Sequence, residues 1–372
     1  MNYNNHKRAN VELHNSWLAL NSVVGCTNAC KYCFLGTKKN CAYPHYYATP
    51  KEVVEELLQF KYYDIKLPIC LYPNTDIFLN QANINYLMET LNIIEEQHIK
   101  NDLVVITKCF IPDSVLTRFQ QMIESGYTIV VYLSYSGLGS DMEPRVNHER
   151  LRENFSRLKK YGIPIVHYFR PFISQNSDPK QIQQVLDYVH LYTPISVVTG
   201  LMLDGNCKNY FSFFKNYKGV SLSKYSSVWP ESAWNYFYKD YQHAQLFYRI
   251  NTCAYQTVLK RPCRIYYKSK ECNSCHCSNE QRERCRVAFC LNQKRIQRQL
   301  NYYLNKIGVT SIYTFKIHKN NTLELFGEPL NSLDYIYLSH MLEISVFMNQ
   351  KCNDIKYVAF HGEPYILKEE KI

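Results

Sequence analysis

Between about residues 16 and 204, short apolar runs alternate with stretches whose apolar residues recur every three or four positions. The runs at 18–24, 67–72, 103–107, 128–134, 163–169 and 195–203 read as six strands. Helical patterns fall between them, near 83–97, 112–125, 147–161 and 178–192. A further helix opens at Thr49-Pro50-Lys51-Glu52, a capping box with proline at the first helical position. Its buried stripe is expected to be Val53, Val54, Leu57 and Leu58. Gly126 and Gly162 are natural left-handed stops for two of the later helices. Strands alternating with helices predict βα units and parallel pairing. In such folds the chemistry gathers at the C-terminal ends of the strands.

After Gly205 the rhythm changes. Residues 209–248 are dense in Phe, Tyr and Trp, including Trp229 and Trp234, and residues 253–290 carry seven cysteines. Mixed helix and strand return at 295–372, with helical stretches near 294–306 and 333–349. No internal repeat, low-complexity linker or heptad pattern is present. The organisation expected is a core over 1–204 and an extension over 205–372.

The loop after the first strand reads Gly25-Cys-Thr-Asn-Ala-Cys-Lys-Tyr-Cys-Phe34, which sets Cys26, Cys30 and Cys33 in a C-x3-C-x2-C spacing. A four-iron–four-sulfur (4Fe-4S) cluster ordinarily takes four thiolates, one per iron. Three leave one iron open to an outside ligand. A zinc knuckle or three unrelated thiols is the plainer alternative, although zinc sites usually pair C-x2-C with a second Cys or His pair. The motif, with Tyr32 before its third cysteine, resembles the signature of the radical S-adenosylmethionine (SAM) superfamily. That resemblance implies an α/β fold, a partial (β/α)6 TIM-like barrel, carrying here a Cys-rich, basic C-terminal extension. It also implies a SAM-binding 4Fe-4S cluster on Cys26, Cys30 and Cys33. In that superfamily SAM occupies the open iron and is reductively cleaved to a 5′-deoxyadenosyl radical, which abstracts a substrate hydrogen.

Several rim segments are similar to the spore photoproduct lyase-like branch of the superfamily. They are Tyr72-Pro-Asn-Thr-Asp76, Ile106-Thr-Lys108, Tyr132-Leu-Ser134, Glu143-Pro-Arg145, Gly162-Ile-Pro164 and Arg170-Pro171. The resemblance covers roughly residues 20–204, about half of the chain. It implies that Tyr32, Thr75, Asp76, Lys108, Ser134 and Arg170 bind the cofactor, with Lys108 meeting SAM's carboxylate, where a cation makes physical sense. Ordinary strand-end ion pairing is the alternative for Lys108 and Arg170. Glu143 and Arg145 are expected only to brace their loop. Two departures count against photoproduct repair itself. Asn74 stands where that branch has a hydrogen-donating cysteine, and Phe34 where it prefers tyrosine.

Fifteen cysteines, with no apolar leader and no run long enough to span a membrane, point to metal ligation in a reducing, cytoplasmic setting. A second metal site, an iron–sulfur cluster or zinc, is expected from the later cysteines, with Cys263, Cys272, Cys275 and Cys285 as its ligands. Cys41, Cys70, Cys109, Cys207 and Cys352 read as buried small apolar residues. The net charge is +11, and eleven Lys and Arg residues fall between Lys260 and Arg298 against Glu271, Glu280 and Glu283. Such a block favours a polyanion, making nucleic acid the expected partner or substrate; a solvated basic face is the alternative. The 33 tyrosines could stack on bases, but Asn, Lys, Ile and Tyr are all frequent, and the count decides nothing. Enzymatic action on nucleic acid or a nucleotide thus competes with a peptide- or protein-modifying maturase and with a non-enzymatic, metal-stapled nucleic-acid-binding protein. A radical SAM enzyme also needs an electron donor, such as flavodoxin or ferredoxin.

Overall fold

The computed structural model describes residues 9–33, 35, 41–202, 225–289, 292–348 and 363–368. Phe34, Cys207, Cys290 and Cys352 lie outside these described residues.

The first part of the chain runs β1 (Val11–Leu13), β2 (Leu18–Leu20), β3 (Val23–Val24), β4 (His45–Tyr46), α1 (Pro50–Gln59), β5 (Ile69–Leu71), α2 (Gln81–Glu96), β6 (Leu103–Thr107), α3 (Asp113–Glu124), β7 (Ile129–Leu133), α4 (His148–Lys160), β8 (Ile165–Phe172), α5 (Pro179–His190) and β9 (Ile195–Gly200). The second part runs β10 (Tyr225–Pro230), α6 (Glu231–Tyr238), β11 (Leu246–Tyr248), α7 (Asn251–Val258), α8 (Lys270–Asn273), α9 (Asn279–Ala288), α10 (Gln293–Lys306), β12 (Thr314–Ile317), β13 (Thr322–Phe326), α11 (Ser332–Leu342), β14 (Ser345–Phe347) and β15 (Glu363–Leu367).

One sheet organises the molecule, in the order β1-β2-β5-β6-β7-β8-β9-β11. Strand β1 lies antiparallel to β2, and every later neighbour is parallel. Strands β6 and β7 read Leu-Val-Val-Ile-Thr and Ile-Val-Val-Tyr-Leu and are almost wholly buried, as strands covered on both faces must be. All six expected strands are present, and β11, from the later half of the chain, adds a further parallel strand beside β9.

Three expectations are corrected. The first strand is two: β2 enters the large sheet, while β3 pairs antiparallel with β4 in a separate ribbon. The break falls at Asn21-Ser22, where the Asn21 amide donates to Asn10 and the Ser22 carbonyl accepts from Tyr47 instead of continuing the ladder. The capping box at Thr49 forms and Val53, Val54 and Leu57 are buried, but Leu58 points outward. The helix expected near 333–349 stops at Leu342, because Glu343 takes a left-handed conformation (φ 56°) and the β-branched run that follows forms β14. The tyrosine count, which decided nothing in the sequence, has a structural use: Tyr62, Tyr72, Tyr86, Tyr132, Tyr248, Tyr266 and Tyr337 are among the largest fully buried side chains.

The extension is packed onto the sheet through apolar and polar contacts. Trp229 stacks on Phe172 of β8, with ring centroids 5.4 Å apart and an interplanar angle of 16°. The Tyr132 hydroxyl of β7 donates to the Asn251 carbonyl at the start of α7 (3.0 Å). Among the described residues, no helix is long and apolar enough to cross a membrane.

Candidate functional site

The cysteine loop leaves β3 at Gly25, whose φ of 108° lies in the region that favours glycine. A Cβ there would stand 2.0 Å from the Tyr43 carbonyl oxygen, so the close approach also excludes a side chain. Each end of the loop is tied to a different rim segment. The Gly25 amide donates to the Asn74 carbonyl (3.0 Å), and the Thr75 hydroxyl donates to the Gly25 carbonyl (2.5 Å). The Lys31 amide donates to Met142 (3.0 Å), and the Arg145 guanidinium to the Thr27 carbonyl (3.3 Å). Cys33 N–H returns to the Cys30 carbonyl (3.0 Å), closing a turn between the second and third thiols.

Asp76 is buried below this loop and faces donors alone: Thr107 Oγ1 at 2.7 Å, the Lys108 amide at 2.7 Å, the Cys109 amide at 3.2 Å and the Phe78 amide at 3.3 Å. Burial pushes its carboxyl above the ordinary value, and the hydrogen bonds pull in the other direction. Its place is thus to join the segment after β5 to the end of β6.

Beside the loop, Glu143 collects three partners on one oxygen. Lys108 Nζ donates to its Oε1 at 2.8 Å, the Ser136 hydroxyl at 2.7 Å, and the Tyr32 hydroxyl through a short hydrogen bond. Lys108 Nζ also donates to the Ser134 carbonyl (2.9 Å). The Glu143 side chain is wholly buried. Burial would raise its carboxyl, but the Lys108 ammonium and the hydrogen bonds from Lys108, Tyr32 and Ser136 outweigh that and hold it below the ordinary value of 4.5.

The six residues expected to bind cofactor are therefore distributed as follows. Tyr32, Lys108 and Ser134 meet through Glu143 and the Lys108 ammonium; Thr75 fastens the loop; Asp76 braces the floor. Arg170 makes a separate set of contacts, donating to the Tyr168 hydroxyl (2.5 Å) and to Met202 Sδ (3.5 Å). Glu143, expected only to brace its loop, is the hub of the polar cluster. Its partners come from three separate stretches of chain, a pattern no local spacing announces. Cys109, read as a core thiol, is half-buried, and its sulfur accepts from Asn28 Nδ2 of the cysteine loop (3.6 Å).

Three half-buried thiols with no imidazole among them are a donor set suited to iron–sulfur chemistry. Among the described residues, no three His, Cys, Asp or Glu side chains converge as they would around a single metal ion. Burial first, then the nearby Asp76 carboxylate, pushes Cys26 up to about 12; burial likewise pushes Cys30 up to about 12, opposed by Lys108. Thiols so placed release protons when they ligate a metal. Of the later cysteines, Cys263, Cys272, Cys275 and Cys285 do come together, and Cys253 and Cys277 join them around one cavity.

The basic block is partly neutralised within the chain. Arg261 pairs with Asp102 (2.6 Å), Arg264 with Glu343 (2.7 Å), Arg284 with Glu280 (2.6 Å) and Arg286 with Glu283 (2.5 Å), while Arg295 lies 4.0 Å from Glu343.

No family model and no curated protein matches the chain. Solved structures of spore photoproduct lyase are similar to it. A mutant with bound AdoMet and dinucleoside spore photoproduct aligns at TM-score 0.42 and 11% identity, over 56% of this chain and 64% of that one. A second mutant aligns at TM-score 0.43 and 11% identity, over 60% and 67%. A third aligns over 98% of this chain and 80% of its own, at TM-score 0.37 and 11% identity. The chain thus spans less than two thirds of the length of the first of these structures.

Proposed function

We propose that the chain is a radical SAM enzyme whose core lies within residues 1–204, with Cys26, Cys30 and Cys33 ligating a 4Fe-4S cluster. The observation that carries this reading is the anchoring of the three-thiol loop to the segments after β5 and β7, which sets three thiols over the C-terminal rim of a parallel sheet. When bound, the cluster and SAM supply the 5′-deoxyadenosyl radical that abstracts hydrogen from the substrate. The chain's own part is to hold and orient. The backbone ties at Gly25 and Lys31 fix the thiols, Lys108 offers a cation to SAM's carboxylate, and Tyr32 and Ser134 line the same cluster of polar groups. Thr75 and Asp76 would lie near SAM's amino group, and Arg170 would support SAM or substrate. Flavodoxin or ferredoxin is the kind of electron donor such a protein needs, in a cytoplasmic setting.

The substrate class proposed is nucleic acid or a nucleotide, supported by the net charge of +11 and its concentration between Lys260 and Arg298. A peptide or protein substrate is the second reading, favoured by the pairing of Arg261, Arg264, Arg284 and Arg286 with the chain's own carboxylates.

Anaerobic reconstitution followed by dithionite reduction with SAM tests the first claim. Wild type should release 5′-deoxyadenosine and Cys30→Ala should not; a variant that still turns over would overturn the assignment. Binding to single- and double-stranded oligonucleotides that falls steeply with salt supports the nucleic-acid substrate, and salt-insensitive or absent binding favours the peptide one.

A further inference from the structure

Six cysteines between positions 253 and 285 wall a single internal cavity: Cys253, Cys263, Cys272, Cys275, Cys277 and Cys285. They arrive from separate pieces of backbone, Cys253 on α7, Cys272 on α8, Cys285 on α9, and the other three on the connecting loops. The free space at its centre is small, about 20 Å³, and Tyr248, Tyr266 and Gln281 complete part of the wall. Cys253 Sγ and Cys263 Sγ stand 3.2 Å apart, the Cys263 amide donates to Cys285 Sγ at 3.2 Å, and the Tyr248 hydroxyl donates to Cys277 Sγ at 3.5 Å.

Among the described residues, the wall carries six thiols and no imidazole or carboxylate, a donor set suited to iron–sulfur ligation. Among the described residues, no three side chains converge on one point as the ligands of a lone zinc ion do. Several thiols spread around one pocket are what a polynuclear cluster requires, because each iron takes its own thiolate.

Hydrogen bonds within the chain hold the backbone that carries the ring. The His276 amide donates to the Phe247 carbonyl of β11 (2.8 Å), which docks the Cys275–Cys277 turn on the large sheet. Arg282 donates to the carbonyls of Cys277 (3.2 Å) and Cys275 (3.5 Å), and the Ser278 hydroxyl caps α9 by accepting from the Gln281 amide (3.1 Å). The Arg282 guanidinium, together with Arg249 beside Cys275, places positive charge next to a group that would be anionic when ligated.

We propose that this cavity is an iron–sulfur cluster site, distinct from the three-thiol loop and ligated by cysteines of this ring, with Cys253 and Cys277 available beside Cys263, Cys272, Cys275 and Cys285. Ligation converts thiols to thiolates with release of their protons. The site stands whether or not the loop at Cys26 binds SAM.

The test uses the full chain carrying Cys26→Ala, Cys30→Ala and Cys33→Ala, reconstituted anaerobically with ferrous iron and sulfide. About four irons and matching acid-labile sulfide should remain, with a reducible cluster signal in low-temperature electron paramagnetic resonance. Adding Cys263→Ser, Cys272→Ser, Cys275→Ser and Cys285→Ser, which leaves two ring thiols, should remove both iron and signal, whereas adding Cys70→Ala should leave them. An iron-free triple variant, a site that takes zinc without sulfide, or iron that persists after those four ring substitutions would each overturn the proposal. If the variants do not fold by circular dichroism, the wild type decides: about eight irons per chain, or about four in a chain that does not cleave SAM, support the site, whereas about four in a chain that does cleave SAM, or none, refute it. Failure of SAM cleavage alone bears on the proposed function and not on this cavity.

Discussion

Glu143→Gln tests the polar cluster most directly. The substitution keeps the side chain's size and one acceptor oxygen, but removes the charge that faces Lys108 at 2.8 Å. The Lys108 side chain is only 13% exposed, so its ammonium cannot turn freely to water. Breaking a buried ion pair by removing one partner typically costs about 3–5 kcal/mol. Lys108 keeps its bond to the Ser134 carbonyl, and glutamine can still accept from Ser136, which sets the expected loss near the lower end, about 3 kcal/mol at pH 7. That is on the order of a hundredfold in the unfolding equilibrium. The pH dependence follows from the direction of the shift. Because the folded carboxyl titrates below its ordinary value of 4.5, its contribution is fully present above about that pH and is lost as the pH falls through the lower folded value. Urea denaturation of wild type and variant between pH 7 and pH 3 measures it. The gap should be full at neutral pH and shrink below pH 4.5. Equal stability at pH 7, or a gap that stays constant to pH 3, would refute the ion pair as the source.

Three further outcomes are expected. Gly25→Ala forces a Cβ against the Tyr43 carbonyl at a φ of 108° and should cost about 1–3 kcal/mol, read as lower iron retention by the reconstituted protein and faster proteolysis between residues 25 and 43. Asp76→Asn turns an amide NH2 toward a pocket of donors and should destabilise by about 1–3 kcal/mol in urea denaturation; an unchanged midpoint would remove Asp76 as the brace between β5 and β6. Lys108→Ala, made in the Glu143→Gln background so that no buried carboxylate is stranded, should weaken SAM binding by about tenfold or more while leaving iron content intact; unchanged affinity by calorimetry takes Lys108 out of the site.

The strands were legible because their information is local. Leu103 to Thr107 and the run at 129–133 are apolar on both faces, which only a covered parallel strand tolerates, and each stands between helices of ordinary amphipathic pattern. Where a non-local partner decided the outcome, the pattern misled. Asn21-Ser22 interrupts a run that looks continuous because its backbone groups are claimed by Asn10 and Tyr47, from either side in the chain. β11 was hidden for the same reason: Leu246 to Tyr248 is short and sits in an aromatic-rich stretch, and only its pairing with Ile195 to Val197 makes it a strand.

The candidate site divides along the same line. Three cysteines in eight positions are visible to anyone who knows what thiolates bind, and the loop they occupy needs little else to be recognised. Glu143 needs everything else. Its carboxylate matters because Tyr32, Lys108 and Ser136 are brought to it by the cysteine loop, the end of β6 and the segment after β7, and no spacing in the sequence relates those stretches to one another. The six-cysteine ring is an intermediate case. Its density marks a metal site from sequence, but the quartet that spacing selects omits Cys253 and Cys277, which α7 and the turn docked on β11 bring to the same wall. A ligand set is a property of a cavity, and the thiols that face the cavity are settled by how α7, α8 and α9 pack against the sheet. That packing is what a choice of ligands by spacing alone leaves out, so substitution at Cys253 and Cys277 is as informative about the ring as substitution within the C-x2-C pair.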